Sequence, residues 1–270
     1  MSDKQLSSLV RKVTALALAW GFGCSMALAQ GRGAAMPPGP PVDMHDLSGY
    51  WELGPGGRDV PPAKLVASVS KEKIQEMQDE DRISERWCRP LGLPAGMASG
   101  RPLSIVQGTY EVAISTEANT GQRHLYFRDK HTNPDILDPS SVGESIAHWE
   151  GDTLVVDTIG FHAKNGRMMI PGGGFRTEKS HLVERFKLLK NGQQLSVTST
   201  WTDPSVFAQP QTYEYRYTRI NGMYEPRQPI GCDPYDDERT AFVEREFSPE
   251  LKKRAEDLGK QQLENSAGYK

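Results

Sequence analysis

Between Pro102 and Ile220 the chain is cut by turn signals at intervals that suit strands and little else. The segments IVQ, YEVAISTE, RHLYFRD, SIAHWE, TLVVDTIGF, SHLVERFKLLK, QQLSVTSTW and TYEYRYTRI are rich in β-branched and aromatic residues. Asn119-Thr120-Gly121, Gly151-Asp152 and Asn191-Gly192 separate neighbouring segments. The expectation is an all-β fold of about eight to nine antiparallel strands. Sequential hairpins that must hide their edges favour an up-and-down barrel with peripheral short helices, with a sandwich as the alternative.

Turn chemistry then sets the register. Gly151-Asp152, with glycine first, suits a type II′ turn that pairs His148 with Val155, Ile146 with Asp157 and Glu144 with Ile159. Alternation puts Glu144, Ile146, His148, Val155, Asp157, Ile159 and Phe161 on one side, and Ser145, Ala147, Trp149, Leu154, Val156 and Thr158 on the other. Asn191-Gly192 suits a type I′ turn pairing Phe186 with Val197, Glu184 with Ser199 and Leu182 with Trp201. Glu184 thus falls on an apolar side, with Arg216 its expected partner, while Arg185 faces out. On the last strand Tyr213, Tyr215 and Tyr217 share one side.

Asp46-Leu47-Ser48-Gly49-Tyr50-Trp51 contains the Gly-x-Trp that resembles the opening of the first strand in lipocalin-like (calycin) barrels. That resemblance implies a late arginine over the tryptophan, and Arg216 or Arg219 fits.

Outside the strands the chain divides readily. Residues 1–29 read as a signal peptide: basic Lys4, Arg11 and Lys12, an apolar run from Val13 to Phe22, and Ala27-Leu28-Ala29 as the cleavage site. The run is too short for a membrane span, so a periplasmic or secreted location is expected. Residues 30–43 form a Gly/Pro-rich arm, 44–247 one barrel domain, and 248–270 a surface helix capped by Ser248-Pro249, with little to bury. Residues 70–84 read as a short polar helix. Two cysteines follow the leader, Cys88 and Cys232. Export favours their pairing, worth roughly 4–5 kcal/mol on the chain-entropy argument for so long a loop.

Composition narrows the function classes. The net charge is −3, and losing a basic leader makes the remainder more acidic, so there is no footprint for nucleic acid. The six histidines lack metal-ligand spacing, Gly172-Gly173-Gly174 precedes no helix, and no serine sits in a nucleophile elbow. No metal and no cofactor is expected; an oligomer is left open.

DLSGYWEL, CRPLGLP, SIAHWEGDTLVVDTIGF and HLVERF together resemble a large family of exported bacterial proteins, most of them uncharacterised. WEGDTLVVDT-x-GF carries most of the resemblance. Where the family has His-Ser-Glu upstream of Glu-Arg, this chain has Arg176-Thr177-Glu178, so no role for that histidine transfers; Glu178, Glu184 and Arg185 match. The occurrence of members in aromatic-degrading bacteria implies an aromatic or otherwise apolar substrate.

Two functional readings follow. One is a cofactor-free acid–base lyase or isomerase, for example one removing formaldehyde or water from a lignin-derived aryl dimer. Asp157 or Glu184 would be the base, His148 the acid partner, and Tyr215 or Arg176 the oxyanion holder, with Glu144, Glu178, Phe161, Trp201, Tyr213 and Tyr217 around the substrate. Burial makes carboxylates candidates for such work because desolvation raises their pKa. The other reading is a non-catalytic barrel that carries an apolar small molecule.

Overall fold

The computed structural model describes residues 43–90, 92–118, 122–162, 174–226, 234–235 and 237–267. These belong to the unit Val42–Lys270; the unit Met1–Pro41 lies outside them. The leader, nearly all of the Gly/Pro-rich arm, the turn at 119–121, and Cys24 and Cys232 therefore fall outside the described residues. Cys88 is disulfide-bonded, and its partner lies outside them too.

The strands are β1 (Gly49–Asp59), β2 (Leu103–Gln107), β3 (Glu111–Thr116), β4 (Arg123–Tyr126), β5 (Glu144–Glu150), β6 (Thr153–Ile159), β7 (His181–Leu189), β8 (Gln194–Thr202) and β9 (Gln211–Arg219). Among the described residues these nine close into one barrel in chain order. An odd number of strands cannot alternate direction all the way round, so one seam must be parallel. That seam is β4–β5, where Leu125 pairs with Ser145 and Tyr126 with Ile146; every other pair, including the closing β1–β9, is antiparallel. The expectation of a wholly antiparallel barrel is corrected at this point. Parallel neighbours need a crossover instead of a hairpin, and residues 127–143 supply it.

Both hairpin registers are those the turns dictate. Glu150 faces Thr153, His148 faces Val155, Ile146 faces Asp157 and Glu144 faces Ile159. In that turn φ is positive at Gly151 (57°) and not at Asp152, the II′ pattern. Glu184 faces Ser199 and Leu182 faces Trp201, and φ is positive at both Asn191 (52°) and Gly192 (75°), as type I′ requires.

The Gly-x-Trp opening also behaves as its resemblance implies. Trp51 is fully buried and its Nε1 donates to Leu47 O at 3.1 Å. The arginine over it is Arg219, whose guanidinium carbon lies 4.1 Å from the ring centroid. Its Nη1 donates to Ser48 O at 2.7 Å.

Register also decides which side faces in. The interior row of the β5–β6 hairpin is Ser145, Ala147, Leu154, Val156 and Thr158, all buried. It continues through Leu182, Glu184, Phe186 and Leu188 to Val197, Ser199 and Trp201, then to Tyr213, Tyr215 and Tyr217. The row carrying Glu144, His148 and Asp157 faces outward. Its apolar members, Ile146, Val155 and Ile159, made the two sides hard to tell apart. The crossover partly covers this outer row, with Leu137 packed at Gly160 and His131 reaching Asp157.

Four helices accompany the barrel among the described residues. They are α1 (Lys71–Arg86), α2 (Ala95–Ala98), α3 (Asp237–Glu244) and α4 (Pro249–Ala267). Ser70 caps α1 by accepting from Lys73 N at 3.1 Å, and Ser248 Oγ accepts from Leu251 N at 3.2 Å. The last helix buries more than its polar sequence implies. Leu251 and Ala255 pack with Ile83 and Phe247 in a second apolar cluster, and Trp87 Nε1 donates to Ala255 O at 2.8 Å. Helix α2 is wholly buried; Tyr217 Oη donates to Met97 O at 2.7 Å, so this short helix packs against the interior tyrosines.

Candidate functional site

The described residues hold two polar constellations, one inside the barrel and one on its outer wall.

The interior one is centred on Glu184, which is 1% exposed. Its partner is Arg123 at the start of β4, not the expected Arg216, which lies outside and pairs with Glu214. Arg123 Nη2 donates to Glu184 Oε2 and to Thr158 Oγ1 at 3.0 Å, and its Nε and Nη2 reach Ser145 Oγ at 3.2 Å. Ser199 Oγ donates to Glu184 Oε1 at 3.2 Å. A carboxylate and a guanidinium are tolerable in an apolar barrel only because each neutralises the other and hydroxyls occupy the remaining sites.

This pairing does not satisfy every interior group. Arg123 Nη1, Tyr213 Oη, Trp201 Nε1 and both Nε and Nη2 of Arg176 are buried without a hydrogen-bond partner. All of these carry a hydrogen to donate, and such groups are rarely left orphaned in a native interior. Burial also pushes the hydroxyls of Tyr213, Tyr215 and Tyr217 up, and the neighbouring Glu184 charge adds to this at Tyr215 and Tyr217. They stay protonated donors. A small opening of about 10 Å³ lies between α2 and β3–β4, lined by Leu93, Gly96, Met97, Ile114, Thr116 and Arg123.

Arg176 lies beside this region. It is 1% exposed, stacks at 5.4 Å on the ring of Phe161, and donates through Nη1 to Ser141 O. Phe161 in turn packs on Trp201, with ring centroids 5.0 Å apart. The segment carrying Arg176 is pinned by Asp203, which accepts from Thr177 Oγ1 at 2.6 Å and from Ser180 Oγ at 2.7 Å. Burial would push the Asp203 carboxyl up; hydrogen bonds from Ser205, Thr177 and Ser180 outweigh it and hold it below the usual range.

The outer constellation is a chain of carboxylates and imidazoles. Glu144 Oε2 lies 3.0 Å from His131 Nδ1, His131 Nε2 lies 2.8 Å from Asp157 Oδ1, and Asp157 Oδ2 lies 2.8 Å from His181 Nε2. Thr132 donates to Glu144 through its backbone at 2.9 Å and its hydroxyl at 2.6 Å, and Arg128 adds an ion pair. Burial would raise the Glu144 carboxyl; the bonds from Thr132 and His131, with the Arg128 charge, overcome this and hold it at about 2. Exposure rises along the chain, from 11% at Glu144 to 40% at His181. Among the described residues no group of three or more His, Cys, Asp or Glu is arranged to hold a metal ion.

The expected site is thus split. His148 is 63% exposed and contacts Glu150 at 3.3 Å instead of Asp157. Asp157 and Glu184 lie on opposite sides of the barrel wall, because Asp157 pairs with Val183, one residue from Glu184. A single catalytic trio of Asp157, His148 and Glu184 does not form. Glu178 is exposed. Glu144 lies on the outer wall, away from the buried Phe161, Trp201, Tyr213, Tyr215 and Tyr217.

Arg123, His131 and His181 were not anticipated. Arg123 alternates with Leu125 and so shares its inward side, a readable signal. His181 alternates with Val183 and Arg185, but only the β6–β7 register puts it beside Asp157. His131 sits in the crossover, where no periodicity applies.

No family model and no curated protein matches the sequence. Among solved structures, a chain described as the REP1-NXSQ fatty acid transporter aligns over 66% of this chain and 98% of its own, at 9% identity and a TM-score of 0.26. So slight a likeness supports no inference about ligand or activity. No described helix is long and apolar enough to cross a membrane.

Proposed function

We propose that this protein is an exported barrel that binds a small, largely apolar aromatic molecule in its interior. The observation that carries the proposal is the set of buried orphan donors at Arg123, Arg176, Trp201 and Tyr213, set among Phe161, Tyr215 and Tyr217. A molecule with an aromatic body and acceptor atoms supplies what those groups lack, an arrangement common to small-molecule sites. The test is calorimetric titration of single-ring aromatics into the intact protein. Saturable heat of binding is expected; heat no different from dilution rejects the proposal. Amino-terminal sequencing of periplasmic protein tests export, with cleavage after Ala29 expected.

The outer chain from Glu144 to His181 favours a second reading, acid–base turnover. In it His181, the most exposed member, exchanges protons with a substrate while Asp157 and His131 position it. Incubation with single-ring and two-ring aryl compounds, followed by mass spectrometry, decides between the readings. Turnover abolished by His181→Gln supports the second; return of every compound unchanged leaves binding alone.

A further inference from the structure

Arg176 presents an unusual electrostatic problem. Its guanidinium is 1% exposed, and no carboxylate among the described residues comes within ion-pair distance of it. Asp81 attracts it only through space, and although burial lowers its pKa to about 10, it remains a cation at neutral pH. Leaving one charge buried and unpaired costs several kcal/mol. Natural interiors meet that cost with a counter-ion.

The geometry says what kind of counter-ion. Nη1 is occupied by Ser141 O, while Nε and Nη2 are both unpartnered. Nε–H and one Nη2–H point the same way along one edge of the guanidinium plane. That edge is the fork that takes the two oxygens of a carboxylate in parallel bonds. The aromatic surface is beside it: Phe161 lies under the guanidinium and Trp201, with its own free Nε1–H, packs on Phe161. The pocket is adjacent as well, because Ser141 O also accepts from Leu93 N at 3.0 Å, and Leu93 lines the pocket together with Val142. Arg123, whose Nη1 is unpartnered, also lines the pocket. Every orphan in this region donates, so the missing molecule must accept.

We infer that the barrel's ligand is a carboxylate, an aromatic acid whose carboxyl group is gripped by the Nε–Nη2 edge of Arg176 beside Phe161 and Trp201. The inference rests on the interior-binding reading above and sharpens it from an apolar molecule to an aromatic acid. A fork contact restricts the choice further. A primary amide offers one acceptor oxygen and no charge, and an alcohol offers less, so both should bind poorly.

The experiment compares acids with their amides. Benzoate, trans-cinnamate and octanoate, and the primary amide of each, are titrated calorimetrically into the intact protein at pH 7. The two aromatic acids should bind about 10–100-fold tighter than their amides, the value of a charge-assisted pair, and octanoate more weakly than cinnamate. Arg176→Lys keeps the charge but removes the fork, and should bring the acids to within a few-fold of the amides. If amides bind the wild-type protein as tightly as acids, the carboxylate inference is overturned while interior binding stands. If neither class binds, both fall. The wild-type comparison does not depend on the variant folding.

Discussion

Replacing Glu184 by alanine should strike the barrel harder than any change on its outer wall. The variant leaves the Arg123 guanidinium, 3% exposed, facing only the hydroxyls of Ser145 and Thr158. Removing one member of a buried pair typically costs about 3–5 kcal/mol, mostly the penalty of an uncompensated charge. For a domain of this size each kcal/mol moves the melting midpoint by roughly 2–4 °C, so a drop of about 6–20 °C is expected. The same argument makes a sharper claim about the pair. Arg123→Met with Glu184→Leu removes both charges and replaces them with apolar groups, so the double variant should recover most of the loss. Urea unfolding followed by tryptophan fluorescence measures all four corners of the cycle. A Glu184→Ala variant within about 1 kcal/mol of wild type, or a double variant no better than the singles, refutes the view that burial of paired charge governs this site.

Four further outcomes are expected. Glu144, with its carboxyl held at about 2 against an ordinary 4.5, contributes stability that is present above pH 4.5 and is lost as pH falls toward 2. Urea denaturation should show the gap between wild type and Glu144→Gln closing over that range; a gap unchanged from pH 5 to pH 2.5 contradicts the assignment. Asp157→Asn keeps one acceptor oxygen and should cost about 1 kcal/mol, since the site is partly exposed, with interior ligand affinity unaltered in a parallel titration. Gly259→Ala places a Cβ 2.1 Å from Trp87 Cζ2; limited proteolysis should release α4 early while the barrel's melting midpoint stays put. Trp201→Phe removes one orphan donor but keeps an aromatic ring, and should weaken aromatic-acid binding by a few-fold in calorimetry, at a cost in stability because the smaller ring leaves a buried void.

Much of the fold was readable because turn chemistry and side-chain alternation act locally. Gly151-Asp152 and Asn191-Gly192 determined two hairpin registers pair by pair, and Gly-x-Trp located the first strand and an arginine over it. What alternation cannot supply is the sign of a face. Ile146, Val155 and Ile159 gave the outer row an interior character, so Asp157 and Glu144 read as buried. The parallel seam at β4–β5 was hidden for a related reason, because the crossover that permits it has no periodic pattern. His131 lies in that crossover, so the outer chain of carboxylates and imidazoles was half visible, in Glu144 and Asp157 alone. Arg123 is different: its alternation with Leu125 pointed inward, yet a charged residue opening a strand is easily read as its solvent-facing end.

Indole N–H resonances test the central claim, that the barrel interior is a ligand site, most directly. Trp51 Nε1 donates to Leu47 O and Trp87 Nε1 donates to Ala255 O, whereas Trp201 Nε1 is buried with no acceptor. In a proton–nitrogen correlation spectrum titrated with trans-cinnamate, the Trp201 indole signal should shift downfield with saturation while those of Trp51 and Trp87 hold their positions. A Trp201 signal that stays fixed while an exposed residue moves would place the ligand on the surface and contradict the account.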